Sequence, residues 1–174
     1  SSLVKVKIVS KLYSSALFWL NIIAVTGKSV QEITEEHWKK YGRSYYMRND
    51  YEGLDTNVAN KLMADLESRL SSLTGKTFGA YTVSEAKPFI YNDPVDGSST
   101  KNGLIVYFTD KSRIVYRLSG TGTNGATLRV YLERYETKDL NENVEPMLEG
   151  LADVSRQIGE ITERTGKAKA DVLT

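Results

Sequence analysis

The chain contains no cysteine, and His37 is its one histidine among 174 residues. The absence of cysteine excludes disulfide scaffolds, thiolate zinc sites and cysteine nucleophiles, and it is compatible with a reducing compartment. One histidine is too few for a His-rich metal site. His37 falls on the apolar stripe of a predicted helix, so we expect a packed structural residue rather than a ligand.

The chain also has very little net charge. Lys and Arg number 23 and Asp and Glu 22, which gives a formal net charge of +1. Such a chain has no overall field that would attract nucleic acid or an anionic membrane. We therefore expect neither among its partners, and any anion site must be built from local groups.

Long hydrophobic runs are absent too. The main apolar run, residues 16–25, follows Lys5, Lys7 and Lys11, which is the order of charge and hydrophobicity found in signal peptides. A run of about ten residues is too short to span a bilayer, and Asn21 interrupts it. No small-x-small cleavage site follows, so we interpret the run as an amphipathic or buried helix.

Three segments have the apolar spacing of helices; they are residues 29–41, 54–73 and 144–161. The first opens with a capping box formed by Ser29 and Glu32 and stops at Gly42. The second follows Asp55, which is a good N-cap residue, and the third is closed by Gly166. These boundaries are the strongest secondary-structure signals in the chain.

Between the second and third helices the apolar period changes to two. The predicted strands are residues 81–83, 89–91, 104–108, 113–118 and 127–135. They are rich in aromatic and β-branched residues and are separated by turn-forming residues. This order predicts an α+β fold with an antiparallel sheet and packed helices. We place its start at residue 43, so that residues 1–42 are a helical segment of a preceding domain and 43–174 a second domain.

A glycine-rich loop, residues 117–129, is the most informative motif. Gly120, Gly122 and Gly125 match the letters of a dinucleotide-binding fingerprint, and Ala126 stands where a phosphate-binding P-loop has lysine. Both motifs need a helix after the glycines, whereas the following residues alternate as a strand. A kinase glycine-rich loop does lie between strands, but the catalytic kinase motifs are absent. The loop is therefore predicted to close a hairpin.

The hairpin register predicts an anion site. If the turn is centred on Thr123, Arg117 lies directly opposite Arg129, a like-charge pair that is unfavourable unless a negative group lies between them. Residues 111–132 contain four cationic side chains and no carboxylate. Glycine N–H groups, the hydroxyls of Ser119, Thr121 and Thr123 and two guanidiniums suit a phosphate. The plain alternative is a polar turn with solvated arginines.

Nothing in the chain indicates a nucleophile or a proton-transfer pair. Asp93 and Asp96 lie in a short segment with Pro94 and Gly97, which is typical of an aspartate-stabilised turn. A calcium loop is the alternative, but it needs more oxygen ligands than Asp93, Asp96 and Ser98 supply.

Several motifs together resemble the C-terminal part of eukaryotic phosphoglucomutase and its relative parafusin, in the α-D-phosphohexomutase family. They are residues 117–129, 93–98, 38–43, 50–51, 165–166 and 173–174, in the same order along the chain. The similarity runs from Ala16 to Thr174, whereas residues 1–15 diverge. The resemblance implies the fourth domain, with a TATA-binding-protein-like α+β fold, preceded by the last helices of the third. In that family this loop holds a phosphate through positions that match Arg117, Ser119, Gly120, Thr121 and Arg129.

The resemblance also implies what the chain alone cannot do. The family's phosphoserine loop, magnesium loop and sugar-recognition loop have no counterpart here, so no catalytic or metal-binding residue is assigned. The implied enzyme interconverts glucose 1-phosphate and glucose 6-phosphate in the cytoplasm, with Mg²⁺ and glucose 1,6-bisphosphate as cofactors. We expect a fragment, truncated product or divergent form that is inactive without the other domains. The alternative is a non-catalytic, parafusin-like or scaffold protein that retains the fold.

Overall fold

The computed structural model describes residues 2–122 and 125–174, in two compact units. The first unit ends at Arg43 and the second comprises Ser44–Thr174. The first unit contains two helices, α1 (Ser2–Thr26) and α2 (Val30–Tyr41).

Helix α2 begins and ends as the sequence predicts. The Ser29 side chain accepts a hydrogen bond from the Glu32 N–H, and the Glu32 carboxylate accepts one from the Ser29 N–H at 2.7 Å. The hydrogen bonds that the Ser29 N–H and the Ser29 hydroxyl donate to the Glu32 carboxylate lower the pKa of Glu32. Gly42 ends the helix with φ 82°. His37, however, is exposed and lies against the Tyr41 ring at 4.8 Å between centroids, so the expectation that it is packed inside is wrong in this structure.

The apolar run 16–25 lies in α1, which confirms that it is helical. Its large side chains are not buried: Leu17 is 59% exposed, Phe18 66% and Leu20 61%. The burial expected from the sequence is therefore not found within this chain. Among the residues described, no helix combines the length and the apolar character needed to cross a membrane.

The second unit is an α+β domain. Its sheet strands are β1 (Arg43–Leu54), β2 (Thr77–Phe78), β3 (Tyr81–Asn92), β4 (Ser99–Phe108), β5 (Arg113–Gly122), β6 (Gly125–Glu136) and β7 (Val172–Leu173). Its helices are α3 (Thr56–Leu73), α4 (Val144–Gly159) and α5 (Ile161–Thr165). The strand order across the sheet is β2-β3-β4-β5-β6-β1-β7, and the successive pairs from β2 to β6 are antiparallel. This arrangement confirms the fold class predicted from the periodicity.

One face of the sheet packs on the helices and forms the core. Alternate residues of the central hairpin, including Ile114 and Leu128, are fully buried with Leu62 and Leu66 of α3 in one cluster. Each buried leucine contributes roughly 1.5–3 kcal/mol. Tyr116 donates a hydrogen bond from its hydroxyl to the Ser155 carbonyl of α4 at 2.9 Å. Complete burial raises the pKa of Tyr116 well above its ordinary value.

The structure corrects two element boundaries. The segments 81–83 and 89–91, predicted as separate strands, belong to the single strand β3. The helix predicted over 144–161 breaks at Glu160, which adopts a left-handed conformation with φ 49°. A Cβ on Gly159 would lie 2.9 Å from Ile161 Cγ1, so the chain packs tightly at the break.

Candidate functional site

The glycine-rich loop joins two paired strands, as the sequence predicts. In the β5–β6 ladder Arg117 lies opposite Arg129, and Leu118 lies opposite Leu128. The register from Arg113 to Ser119 is the one predicted for a hairpin centred on Thr123, and it shifts between Ser119 and Gly122. Thr123 itself, Asn124 and the Thr121 side chain lie outside the described part of the structure.

Two glycines give the loop its backbone path. Gly120 has φ 67° and Gly125 has φ 89°, conformations that residues with a side chain rarely adopt. A Cβ on Gly125 would also lie 3.0 Å from the Leu54 carbonyl oxygen at the end of β1. Gly120 is exposed and Ser119 is half-buried. The loop therefore presents backbone and hydroxyl groups at the hairpin end of the sheet, on the face that does not pack on the helices.

The four cations counted in residues 111–132 do not act together. Lys111 lies near the Tyr135 ring, before β5 begins and away from the hairpin end. Arg113 donates from Nε to Glu133 Oε2 at 2.6 Å, which is the cross-strand ion pair that the register predicts. Of the four cations, Arg117 and Arg129 are therefore the two that remain for the anion site.

The backbone at Gly103 of β4 makes room for Arg117. The Arg117 Cγ lies 2.8 Å, and the Tyr116 carbonyl oxygen 2.2 Å, from the place that a Cβ on Gly103 would occupy. Gly103 has φ 144°, in the region that favours glycine. The stem of Arg117 thus lies across a strand that has no side chain at that point.

A carboxylate that sequence reasoning missed lies beside Arg129. Asp50 of β1 places Oδ2 3.6 Å from Arg129 Nε, and its Oδ1 accepts a hydrogen bond from Arg48 Nε at 2.9 Å. The Asp50 side chain is only 4% exposed. This carboxylate offsets part of the repulsion between Arg117 and Arg129, which the sequence analysis had left without a negative neighbour.

The same sheet face contains a cavity of about 660 Å³. Arg48, Arg113 and Arg117 line it with apolar groups that include Val115 and Tyr131. Since Val115 and Tyr131 are opposed across the β5–β6 ladder, the cavity adjoins the row that contains the two opposed arginines. A ligand at the arginines would therefore have an apolar floor beside it.

The aspartate segment before β4 is a turn, as predicted. Asp93 Oδ1 accepts a hydrogen bond from the Val95 N–H, and Asp96 Oδ1 accepts one from the Ser98 N–H, both at 2.7 Å. Hydrogen bonds from Ser98 lower the pKa of Asp96. These side chains are used in turn formation. In the part of the chain that the structure describes, no three acidic, histidine or cysteine side chains are grouped as a metal site would require.

Taken together, the second unit is an α+β domain with helices on one face of an antiparallel sheet and two opposed arginines on the other. The family model described as the phosphoglucomutase-1 C-terminal domain matches residues 43–171. The chain therefore belongs to the phosphoglucomutase family.

Individual relatives support this assignment and show how much of their length the chain represents. Human phosphoglucomutase-1 is 45% identical over 170 residues, and phosphoglucomutase from Rhizobium radiobacter is 45% identical over 163 residues. Each alignment covers 92% of this chain but only 30% of the relative. The open form of parafusin (phosphoglucomutase) from Paramecium superposes with a TM-score of 0.80 at 36% identity, over 91% of this chain and 28% of parafusin.

The family implies Mg²⁺ and glucose 1,6-bisphosphate for the whole enzyme, and the described residues do not fit a magnesium site. Mg²⁺ needs several oxygen ligands in near-octahedral geometry. Asp50, the buried carboxylate of the site, is already committed to two arginines.

Proposed function

We propose that the second unit is the phosphosugar phosphate-binding domain of a phosphoglucomutase, the enzyme that interconverts glucose 1-phosphate and glucose 6-phosphate. The residues proposed to bind the phosphate are Arg117, Ser119, Gly120, Thr121 and Arg129. The first unit would be the end of the preceding domain, with residues 1–15 divergent. The observation that supports this role most directly is the opposition of Arg117 and Arg129 in adjacent strands.

The physical argument rests on charge and preorganisation. The sheet holds the Cα atoms of the two arginines about 4.5–5.5 Å apart, so each guanidinium can donate two hydrogen bonds to one phosphate. A bound dianion would relieve the repulsion between them, so the site favours an anion before any contact with the sugar forms. Gly120 N–H and the Ser119 hydroxyl would complete the contacts at the exposed end of the strand.

The role of this domain in the reaction would be positioning. The nucleophilic serine, the Mg²⁺ and the sugar-recognition loop would come from the remaining domains, in a cytoplasmic enzyme of glucose metabolism. Rotation of the domain over bound phosphosugar would order the substrate and exclude water. The isolated chain would then bind phosphosugar without converting it.

A scaffold role is the second candidate. One relative, human phosphoglucomutase-like protein 5, is 42% identical over 169 residues, nearly as similar as phosphoglucomutase-1. A scaffold has no need of two arginines that repel each other, so the opposed pair favours phosphate binding. The two candidates differ in what they require beyond this domain, because only an enzyme needs the serine and magnesium loops.

The proposed function is tested by an NMR titration of the chain with glucose 1-phosphate, with glucose as the control. The amides of Gly120, Gly122 and Gly125 are followed. Saturable shifts with the phosphosugar alone are expected. A folded chain whose loop amides show no chemical-shift change with the phosphosugar would argue for a scaffold, or for a site that needs the other domains.

A further inference from the structure

Asp50 is a buried carboxylate that the proposed phosphate contacts do not include. Its side chain is 4% exposed although it lies on the sheet face away from the helices, and it forms ion pairs with both Arg48 and Arg129. Removing a carboxylate from water is costly unless cations and hydrogen bonds replace the lost hydration. A residue retained in this place needs a reason beyond packing.

The geometry of the two arginines suggests that reason. Both face Asp50 through Nε: Arg48 Nε donates at 2.9 Å, and Arg129 Nε lies 3.6 Å from the other carboxylate oxygen. Arg129 Nε is buried and has no hydrogen-bond partner in the described structure. The Asp50 carboxylate therefore lies at the Nε edge of both guanidiniums.

We propose that Asp50 is a positioning residue for the phosphate site: it holds the Nε edge of Arg129 so that the two terminal nitrogens are presented to the phosphate. Arg48, held by the same carboxylate, adds a third guanidinium at the edge of the site. This inference rests on the proposed phosphate-binding function. An arginine fixed in this way loses less side-chain freedom when it binds an anion.

Simple electrostatics makes the opposite prediction, which allows a sharp test. If Asp50 only neutralised its neighbours, Asp50→Asn would raise the local positive charge by one and leave phosphate binding unchanged or tighter. If Asp50 positions Arg129, the same substitution weakens binding although the site becomes more positive. The sign of the change separates the two roles.

The experiment measures the affinity of the chain for inorganic phosphate by NMR at constant ionic strength. We expect Asp50→Asn to weaken binding about tenfold, which corresponds to about 1.4 kcal/mol. Glu133→Gln is the matched control, since it removes one negative charge from the same sheet face at the Arg113 pair. The control should bind phosphate as well as the wild-type chain or more tightly.

A second pair of variants leaves Asp50 intact, so the test does not depend on whether Asp50→Asn folds. In Arg129→Lys, Asp50 and phosphate compete for a single ammonium group. In Arg117→Lys, no described carboxylate competes with phosphate for the ammonium group. We expect Arg129→Lys to lose several times more affinity than Arg117→Lys. Equal losses in this pair, or a folded Asp50→Asn chain that binds at least as well as wild type, would overturn the proposal. Failure of the wild-type chain to bind any phosphate would instead count against phosphate binding by this chain, on which the proposed function and this inference both rest.

Discussion

The stem of Arg117 lies across Gly103, with Arg117 Cγ 2.8 Å from the place a Cβ on residue 103 would take. This close approach brings β4 against the row of the β5–β6 hairpin that contains Arg117 and Arg129. It means that one orientation of Arg117 depends on the absence of a side chain in the neighbouring strand. A glycine outside the loop motif thus belongs to the structural support of the site.

Gly103→Ala should therefore destabilise the domain and disturb phosphate binding. The new methyl would lie 2.2 Å from the Tyr116 carbonyl oxygen, and φ 144° is unsuited to alanine. We expect a loss of at least about 2 kcal/mol in the free energy of unfolding. Urea denaturation measures it, with Gly79→Ala as control: Gly79 has φ 57° and open space around it, so only about 1–2 kcal/mol of backbone strain is expected there. Equal losses at the two positions would contradict the close approach.

Arg117→Gln should weaken glucose 1-phosphate binding by about 1.5–3 kcal/mol, the size of a charge-assisted hydrogen bond. Its effect on stability should stay within about 0.5 kcal/mol, because Arg117 is exposed and faces Arg129. NMR titration and thermal denaturation measure the two effects. Arg113→Gln on the same strand is the control, since Arg113 is paired with Glu133. If both variants bound the phosphosugar equally well, the assignment of Arg117 would be wrong.

Gly120→Val should reduce both binding and stability, because a β-branched residue at φ 67° is strained. We expect about 1–3 kcal/mol of lost stability. A steric clash is not the cause, since the nearest atom to a Cβ there is the Gly125 carbonyl oxygen at 4.0 Å. Gly120→Asn provides the comparison, because asparagine tolerates the left-handed region. An asparagine variant as unstable as the valine variant would locate the defect elsewhere.

The parts of the site that lie close together in sequence could be predicted. The apolar alternation on β5 and β6 sets which residues face the core, and a turn centred on Thr123 then predicts Arg117 opposite Arg129, as the ladder shows. The Asp93–Ser98 turn and the α2 capping box follow equally from local hydrogen bonding. In each case the deciding contacts span only a hairpin or a single turn.

The parts of the site that depend on strands distant in sequence could not be predicted. Asp50 lies 79 residues before Arg129, and nothing in the sequence indicates that β1 follows β6 in the sheet. Only the spacing of Arg48 and Asp50, which puts both on one face of a strand, was available as a signal. The break at Glu160 was hidden as well, since Ile158 and Ile161 keep helical spacing across it. Tertiary packing of Gly159 overrides that local pattern.

An ion-pair network between α3 and α5 should give stability a specific pH dependence. Asp65 accepts hydrogen bonds from Arg164 at 2.6 Å and from Lys61, and these contacts lower the pKa of Asp65. A carboxyl whose pKa is lower in the folded state stabilises the fold above its unfolded pKa of about 3.9 and loses this contribution as pH falls through the folded value.

Asp65→Asn should therefore be less stable than the wild-type chain at pH 7 and at pH 5 by the same amount. The difference should shrink below about pH 3.9, where the Asp65 carboxyl of the unfolded wild-type chain begins to take up a proton, and it should vanish once the folded chain is protonated too. Urea denaturation at a series of pH values measures it. Glu163→Gln is the control on α5, because the described structure shows no ion pair for Glu163. A difference that persisted unchanged to acid pH would mean that the charge of Asp65 is not responsible.

The isolated chain should bind phosphosugar but have no mutase activity. It corresponds to 30% of the length of human phosphoglucomutase-1, and the motifs expected to supply the nucleophile and the magnesium site are absent from its sequence. Positioning groups accelerate a reaction only when they hold the substrate against the reacting groups, so a clamp alone supplies no bond-making step. The measurement is a coupled assay for glucose 6-phosphate formation, using chain purified from a host that lacks phosphoglucomutase. Turnover that followed the chain through purification and disappeared in Arg117→Gln would show that this segment contains catalytic groups of its own.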